Sequence, residues 1–408
     1  MSIAGWYAWF ESRSRWEKAA LLLWGAILLF VSVRVFLSPD SKTVYPIFSA
    51  SGRFWWTGID LYEPHRPTDV QDGYRYSPTF AILVTPFAML PDSIGGIAWR
   101  LFNAGALFVA LWWLLRTVLP TNGLPNVLAW LLLLTIPLTL QSVNNGQANL
   151  LVVACMLGTV AAVSQERWNL ASALLAIAFL CKLYPLALGM VLILLYPRQL
   201  VWRIPLAAVA SLAAPFLFQQ PVYVADQYAK WIAVLRADDR ASCVLENMYR
   251  DLWLLIHLYG LPISRTVYTF VQMLAGIGVA ALCWHRQRAG WSESKLLTST
   301  LALVTAWMML LGPATESSSF VLLAPSFAWS VLEAWKANER NARHGLLWGS
   351  CAIFVIAVVV GGINKDWKLH EAGVHAWGSL CYFVYLLLEP TTPAAQQMQL
   401  AESRRLAA

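Results

Sequence analysis

The chain has 408 residues, 59% of them hydrophobic and 12% charged, with a formal charge of +7. A soluble domain carries about 25% charged residues, so too few charges remain to coat a soluble globule of this length. The basic residues are scattered in short segments with no stripe to follow a phosphate backbone, which argues against a nucleic-acid partner, and the 22 tryptophans suit membrane–water interfaces.

A spanning helix needs about 20 mostly apolar residues. Residues 19–37 follow Arg13, Arg15 and Lys18, lack a small-residue cleavage site, and read as an uncleaved first helix. Further spans are expected at 95–119, 125–141, 147–163, 202–218, 266–285, 296–312, 318–335, 345–362 and 374–388. Residues 78–90 are too short to span and read as a juxtamembrane or re-entrant helix. Residues 169–197 exceed one span and hold Lys182 and Pro185 in their middle. A buried Lys is costly in a membrane and Pro breaks the helix ladder, so two short helices meeting at Lys182 are expected. The fold expected is an all-α polytopic membrane bundle of about twelve transmembrane helices. It forms one domain over 1–390, followed by a cytoplasmic tail at 391–408.

Lys and Arg collect in cytoplasmic loops. With the N-terminus inside, Arg116, Arg167, Arg198, Arg203, Arg286, Arg288, Lys295, Lys336, Arg340 and Arg343 all fall on the inner side. The outer side then receives the two long loops, 38–94 and 220–264, together with Lys182 and the segments 142–146, 313–317 and 363–375. Long loops are usually functional.

Several polar groups gather on that outer side. Asp40 sits where the first helix ends. It is either a partly desolvated carboxylate with raised basicity or part of a solvent-exposed turn. Tyr74-Arg75-Tyr76 offers a cation between two rings, suited to a phosphate or a sugar or to an interfacial belt. Asn144-Asn145-Gly146-Gln147-Ala148-Asn149 starts a helix with four amides, which can cap it or bond sugar hydroxyls. Lys182 in an apolar run is a functional residue by default, with snorkelling as the alternative. Glu316 is either a helix N-terminal acid or a cavity group. Neither the six cysteines, among them Cys243, nor His65, His370 and His375 have metal-ligand spacing. No Rossmann or P-loop glycine motif is present, and no cofactor is expected.

Together these motifs resemble glycosyltransferase family 87. The resemblance rests on Gly58-x-Asp60-Leu-Tyr62, Tyr74-Arg75-Tyr76-Ser-Pro78, Asn145-Gly146-Gln147-Ala-Asn149 and Cys181-Lys182-Leu-Tyr184-Pro185. It covers roughly residues 20–335 in matching order. It implies a GT-C bundle whose first outer loop carries juxtamembrane helices and the catalytic acid. It implies transfer of a sugar, mannose first, from a polyprenyl-phosphate donor to an extracytoplasmic glycolipid or glycan acceptor, with inversion, at the plasma membrane. On that reading Asp40 is the catalytic base, with Asp60, Asp69 and Asp72 as rivals. Asp40 precedes Tyr45 by five positions, where the family spacing of four would fall on Ser41. Lys182, Arg75, Lys42 and Arg53 meet the donor phosphate. Tyr76, Asn145, Gln147, Asn149, Tyr184 and Glu316 bind sugar or acceptor. The competing classes are a transporter or flippase of lipid-linked sugar and a non-catalytic scaffold of the same fold.

Overall fold

The computed structural model describes residues 10–63, 73–120, 124–237, 245, 248–312, 315–339, 341–363, 368–369 and 371–390. His65, Asp69, Asp72, Arg340, Cys243, His370 and the tail at 391–408 lie outside these residues. Among the described residues the chain is helical, with short 3₁₀ turns and no strand.

Helix α1 (Arg15–Leu37) opens on a reciprocal capping box between Ser14 and Glu17. It turns Leu22, Phe30 and Phe36 outward and buries Trp24, Val31 and Val35. The first long loop folds into α2 (Tyr45–Thr57) and α3 (Pro78–Ala88). Both pack on the start of α4 (Asp92–Thr117). Gly95 permits that approach, since a Cβ there would collide with the Tyr45 hydroxyl and the Phe87 carbonyl. The Tyr45 hydroxyl donates to that same carbonyl at 2.9 Å. Next come α5 (Val127–Asn145) and the almost fully buried α6 (Asn149–Ser164).

Helices α7 (Trp168–Cys181) and α8 (Leu186–Leu195) form the expected pair, broken at residues 182–185. They fold back as a hairpin, because Trp168 and Tyr196 meet with ring centroids 5.4 Å apart. The hairpin tip therefore stands at the opposite end of the bundle from Trp168. The chain continues through α9 (Pro197–Leu200), α10 (Arg203–Ala213) and a 3₁₀ turn at Ala214–Leu217. The second long loop holds α11 (Pro221–Ala237) and α12 (Leu252–Leu258). The bundle closes with α13 (Arg265–Arg288), α14 (Glu293–Leu311), a 3₁₀ turn at Ser317–Leu322, α15 (Ala324–Ala337), α16 (Ala342–Ile363) and α17 (Val374–Leu387).

Among the described residues seven helical segments are long and apolar enough to cross a membrane, and five more apolar helices run to 10–17 residues. The chain is thus an all-α, multi-pass membrane bundle. The span expected at 318–335 is split between the 3₁₀ turn and α15.

The two ends of the bundle differ in chemistry. One end gathers Arg286, Lys295, Arg343, Glu333 and Glu389 into an ion-pair network. The other gathers the hairpin tip, the first long loop and the amide-rich turn between α5 and α6. Arg100, which is buried, cements that second end. Its guanidinium donates to the Val143, Asn144 and Gly96 carbonyls and to the Thr43 hydroxyl. Arg34 adds bonds to the Ser41 and Asn144 carbonyls.

Candidate active site

A cavity of about 320 Å³ opens at the end of the bundle that carries the hairpin tip. Among the described residues its walls come from eight separate stretches of chain. The hairpin tip contributes Lys182 and Tyr184, and the segment before α3 contributes Arg75 and Tyr76. The turn before α6 contributes Gln147, and the segment before the 3₁₀ turn contributes Glu316. Helix α11 adds Trp231 and Leu235, and the start of α12 with α13 adds Asp251 and Arg265. Apolar groups, among them Ile47, Phe48, Phe179 and Leu183, complete it.

Local structure explains how these groups are held. Pro185 ends the break after α7 and starts α8, and the Ser77 hydroxyl donates to the Leu180 carbonyl at 2.9 Å. That bond fixes the hairpin tip against the first loop. The Trp231 indole donates to the Arg75 carbonyl at 3.0 Å, which sets Tyr74-Arg75-Tyr76 against α11. Tyr76 stacks on Phe80 at 4.4 Å and meets Phe48 edge-on at 4.8 Å. Burial raises its phenol well above the ordinary range, so Tyr76 is a neutral hydrogen-bonding group.

The amides form a relay. Asn149 donates to the Ser318 carbonyl at 2.9 Å and to the Gln147 side-chain oxygen at 2.7 Å. Gln147 in turn donates to the Glu316 carboxylate at 2.9 Å. Asn149 is fully buried and serves to orient Gln147, which reaches the cavity.

Of the residues expected from the sequence, Arg75, Tyr76, Gln147, Lys182, Tyr184 and Glu316 come together here. Five do not line the cavity. Arg53 pairs with Asp92 and donates to the Ala88 and Leu90 carbonyls, which makes it a tie between α2 and α4. Lys42 is exposed, with a left-handed backbone at φ 50°. Asn145 enters the site's framework through its carbonyl, which accepts from the Val44 amide and the Thr43 hydroxyl. Asn149 stands behind Gln147, as described. Asp40 lies exposed on the turn between α1 and α2, and the first loop faces the cavity with Val44, Ile47 and Phe48 instead.

The rival Asp60 is also accounted for. Its carboxylate accepts from Lys230 of α11 at 2.6 Å and from the Tyr62 amide at 2.9 Å. Beside it the Gln227 side chain accepts from the Leu61 amide, and Tyr223 donates to the Ile59 carbonyl. The Gly58–Tyr62 motif is thus the dock for α11. Burial pushes the Asp60 carboxyl up, but the bonds from Lys230 and Tyr62 outweigh it and hold the group below its ordinary value.

The sequence reading did not single out Asp251, Arg265 or Trp231. Asp251 precedes the apolar run Leu252–Leu258, a signal for a helix cap that carries no hint of a cavity.

Comparison with known proteins gives matches at the level of family, relative and solved structure. The sequence profile of glycosyltransferase family 87 matches residues 74–313. A polyprenol-phosphate-mannose-dependent alpha-(1-2)-phosphatidylinositol pentamannoside mannosyltransferase of Mycolicibacterium smegmatis is 26% identical over 343 residues. That alignment covers 77% of this chain and 75% of the relative. Among solved structures, apo ArnT from Cupriavidus metallidurans aligns over 90% of this chain and 77% of its own, with a TM-score of 0.43 and 13% identity.

Proposed function

Since the chain belongs to glycosyltransferase family 87, we propose that it transfers a sugar from a polyprenyl-phosphate donor to a glycolipid or glycan acceptor, within the cavity at the hairpin tip. Mannose is the sugar we assign, supported by the donor in the name of the mycobacterial relative. The observation that carries this reading is Lys182. An ammonium stands at the tip of a hairpin of apolar helices and shares one cavity with Arg75, Gln147 and Tyr76. A lipid-linked phosphodiester brings its charge to the membrane boundary, where such a tip can meet it.

In this mechanism the donor's phosphate lies against Lys182 and Arg75, and its isoprenoid runs along the apolar wall. As the bond between the anomeric carbon and the phosphate oxygen breaks, negative charge grows on the phosphate. Fixed cations at that point stabilise the transition state more than the ground state. Gln147, held by Asn149 and Glu316, presents an amide to sugar hydroxyls, and Tyr76 and Tyr184 supply an aromatic floor. The acceptor hydroxyl attacks the opposite face of the anomeric carbon, giving inversion, and a carboxylate takes its proton. Among the described residues, the carboxylates that line the cavity are Asp251 and Glu316.

We place the cavity on the extracytoplasmic face of the plasma membrane. The short helices α6, α7, α8, α15 and α17 also lie in the bilayer in this reading, giving about twelve crossings in a GT-C arrangement. The basic cluster of Arg286, Lys295 and Arg343 at the other end of the bundle supports that orientation.

The test is incubation of the purified protein in lipid nanodiscs with radiolabelled polyprenyl-phosphate mannose and, separately, the arabinofuranose donor, with candidate lipid acceptors. Labelled product with release of polyprenyl phosphate is the expected result. Translocation of the intact donor without cleavage would replace the reading with a flippase, and inert donors would leave a scaffold.

A further inference from the structure

Among the described residues, Asp251 is the more deeply buried of the two carboxylates on the cavity wall, 4% exposed. It caps α12 with one oxygen, Oδ1, which accepts from the Trp253 amide at 3.0 Å and the Leu254 amide at 3.3 Å. Capping alone explains an Asp at this position. It does not require the residue to be enclosed on the wall of a cavity that also holds Lys182 and Arg75. Glu316, the other carboxylate there, is engaged by the Gln147 amide. Among the described residues the first loop brings no acid to the wall, only Val44, Ile47 and Phe48 beside its tyrosine and arginine.

We propose that Asp251 is the general base of the transfer reaction, accepting the proton of the attacking hydroxyl; this rests on the glycosyl-transfer reading of the cavity. The hydroxyl oxygen forms a bond to the anomeric carbon while the bond from that carbon to the phosphate oxygen breaks. The electron pair of the broken bond leaves with polyprenyl phosphate beside Lys182 and Arg75. The hydroxyl proton passes to the Asp251 carboxylate and is released to water when the product departs. No oxidant or reductant is needed.

The electrostatic setting suits the role. Burial pushes the Asp251 carboxyl up to about 6, against the amide bonds from Leu254 and Trp253 and the charge of Arg265, which pull it down. A base in that range is ionised at neutral pH yet strong enough to take a proton. The other groups facing it are Arg265 and Tyr268 of α13, Tyr249 before α12, and Arg75, Lys182 and Glu316 across the cavity. Helices α14 and α17, which also pack on α12, add no residue to the cavity wall.

The experiment compares the wild-type protein with Asp251→Asn, Asp251→Glu, Asp40→Asn and Glu316→Gln in nanodiscs, using radiolabelled polyprenyl-phosphate mannose. The wild-type kcat/KM should fall as pH drops below about 6 and stay level above it. Asp251→Asn should lose about 10²–10⁴ in rate while donor Kd and melting temperature hold, because Asn caps a helix as well as Asp does. Asp251→Glu should keep part of the rate with its acid limb displaced. The inference is overturned if Asp251→Asn turns over within about threefold of wild type with donor transfer intact, or if the acid limb survives in it and vanishes in Asp40→Asn or Glu316→Gln. Failure of the wild-type protein to transfer sugar from any donor would overturn the glycosyl-transfer reading itself, and this inference with it.

Discussion

Gly146 and Gly58 share a left-handed backbone, with φ of 71° and 70°, and should respond differently to a methyl group. At Gly58 an added Cβ meets open space, so Gly58→Ala should cost only the backbone strain, about 1–2 kcal/mol. At Gly146 the same atom would lie 2.7 Å from the Arg100 guanidinium, so the strain adds to displacement of the buried arginine from its carbonyl acceptors. Gly146→Ala should therefore cost more than about 3 kcal/mol and carry Gln147 out of place. Melting of the two variants in nanodiscs, read beside donor transfer, checks the contrast; equal losses would remove Arg100 from the account of this turn. Asp60 is a milder case. Its partner Lys230 is half-exposed, and exposed pairs contribute about 0.2–1 kcal/mol. The depressed Asp60 carboxyl gives a contribution complete above about pH 4 and lost as pH falls through the folded-state value. Asp60→Asn should thus destabilise slightly at pH 7, should show no difference from wild type at strongly acid pH, and should leave the proton-transfer step untouched. A melting difference that grows on acidification would reverse that sign.

At the scale of elements, the break between α7 and α8 was legible because an ionisable residue and a proline interrupt an apolar run, which is local information. The amide-rich turn was legible for a similar reason, since four amides exceed what one helix cap requires. The role of α11 was not. Its Trp231, Lys230 and Gln227 contact residues more than 150 positions earlier in the chain, and no periodicity in the 220–264 segment announces those partners. Asp40 stands directly after α1 and close to Val44-Tyr45, which points to a base, but position along the chain does not fix the direction of a side chain. The turn at 39–42 leaves it in the open, while the following residues, Val44 and Ile47, face inward. Arg100 shows what binds these elements to one another. It joins the C-terminal carbonyls of α5 to Thr43 of the first loop. Arg100→Met would leave buried acceptors unfilled at about 1–3 kcal/mol each, and Arg100→Lys would recover part of that. Thermal melting should rank wild type above Lys above Met. Equal melting of all three would show that the loop is held by other contacts.

The whole molecule is a bundle with two unlike ends, one a basic ion-pair network and the other a cavity built, among the described residues, from eight stretches of chain. Hydropathy predicted the bundle because burial in lipid demands apolar helices. It did not predict that the span expected at 318–335 divides into a 3₁₀ turn and α15, because hydropathy is blind to where the helical ladder tightens. The orientation can be checked in a background in which the native cysteines are replaced. Single cysteines at Thr57 and Ala237, both exposed on the cavity side, should react with an impermeant maleimide applied to intact cells. A cysteine at Arg288, exposed at the basic end, should react only after permeabilisation. The opposite pattern would place the cavity in the cytoplasm.

The central claim is that the donor's phosphate rests at the hairpin tip. A polyprenyl-phosphate sugar with a photoreactive group on its first isoprene unit tests this most directly, with crosslinked peptides mapped by mass spectrometry. The account predicts labelling at residues 75–77 and 179–184, competition by unlabelled polyprenyl phosphate, strong loss in Lys182→Met and partial retention in Lys182→Arg, whose planar fork replaces a point charge. Labelling confined to the basic end, or undiminished in Lys182→Met, would contradict it.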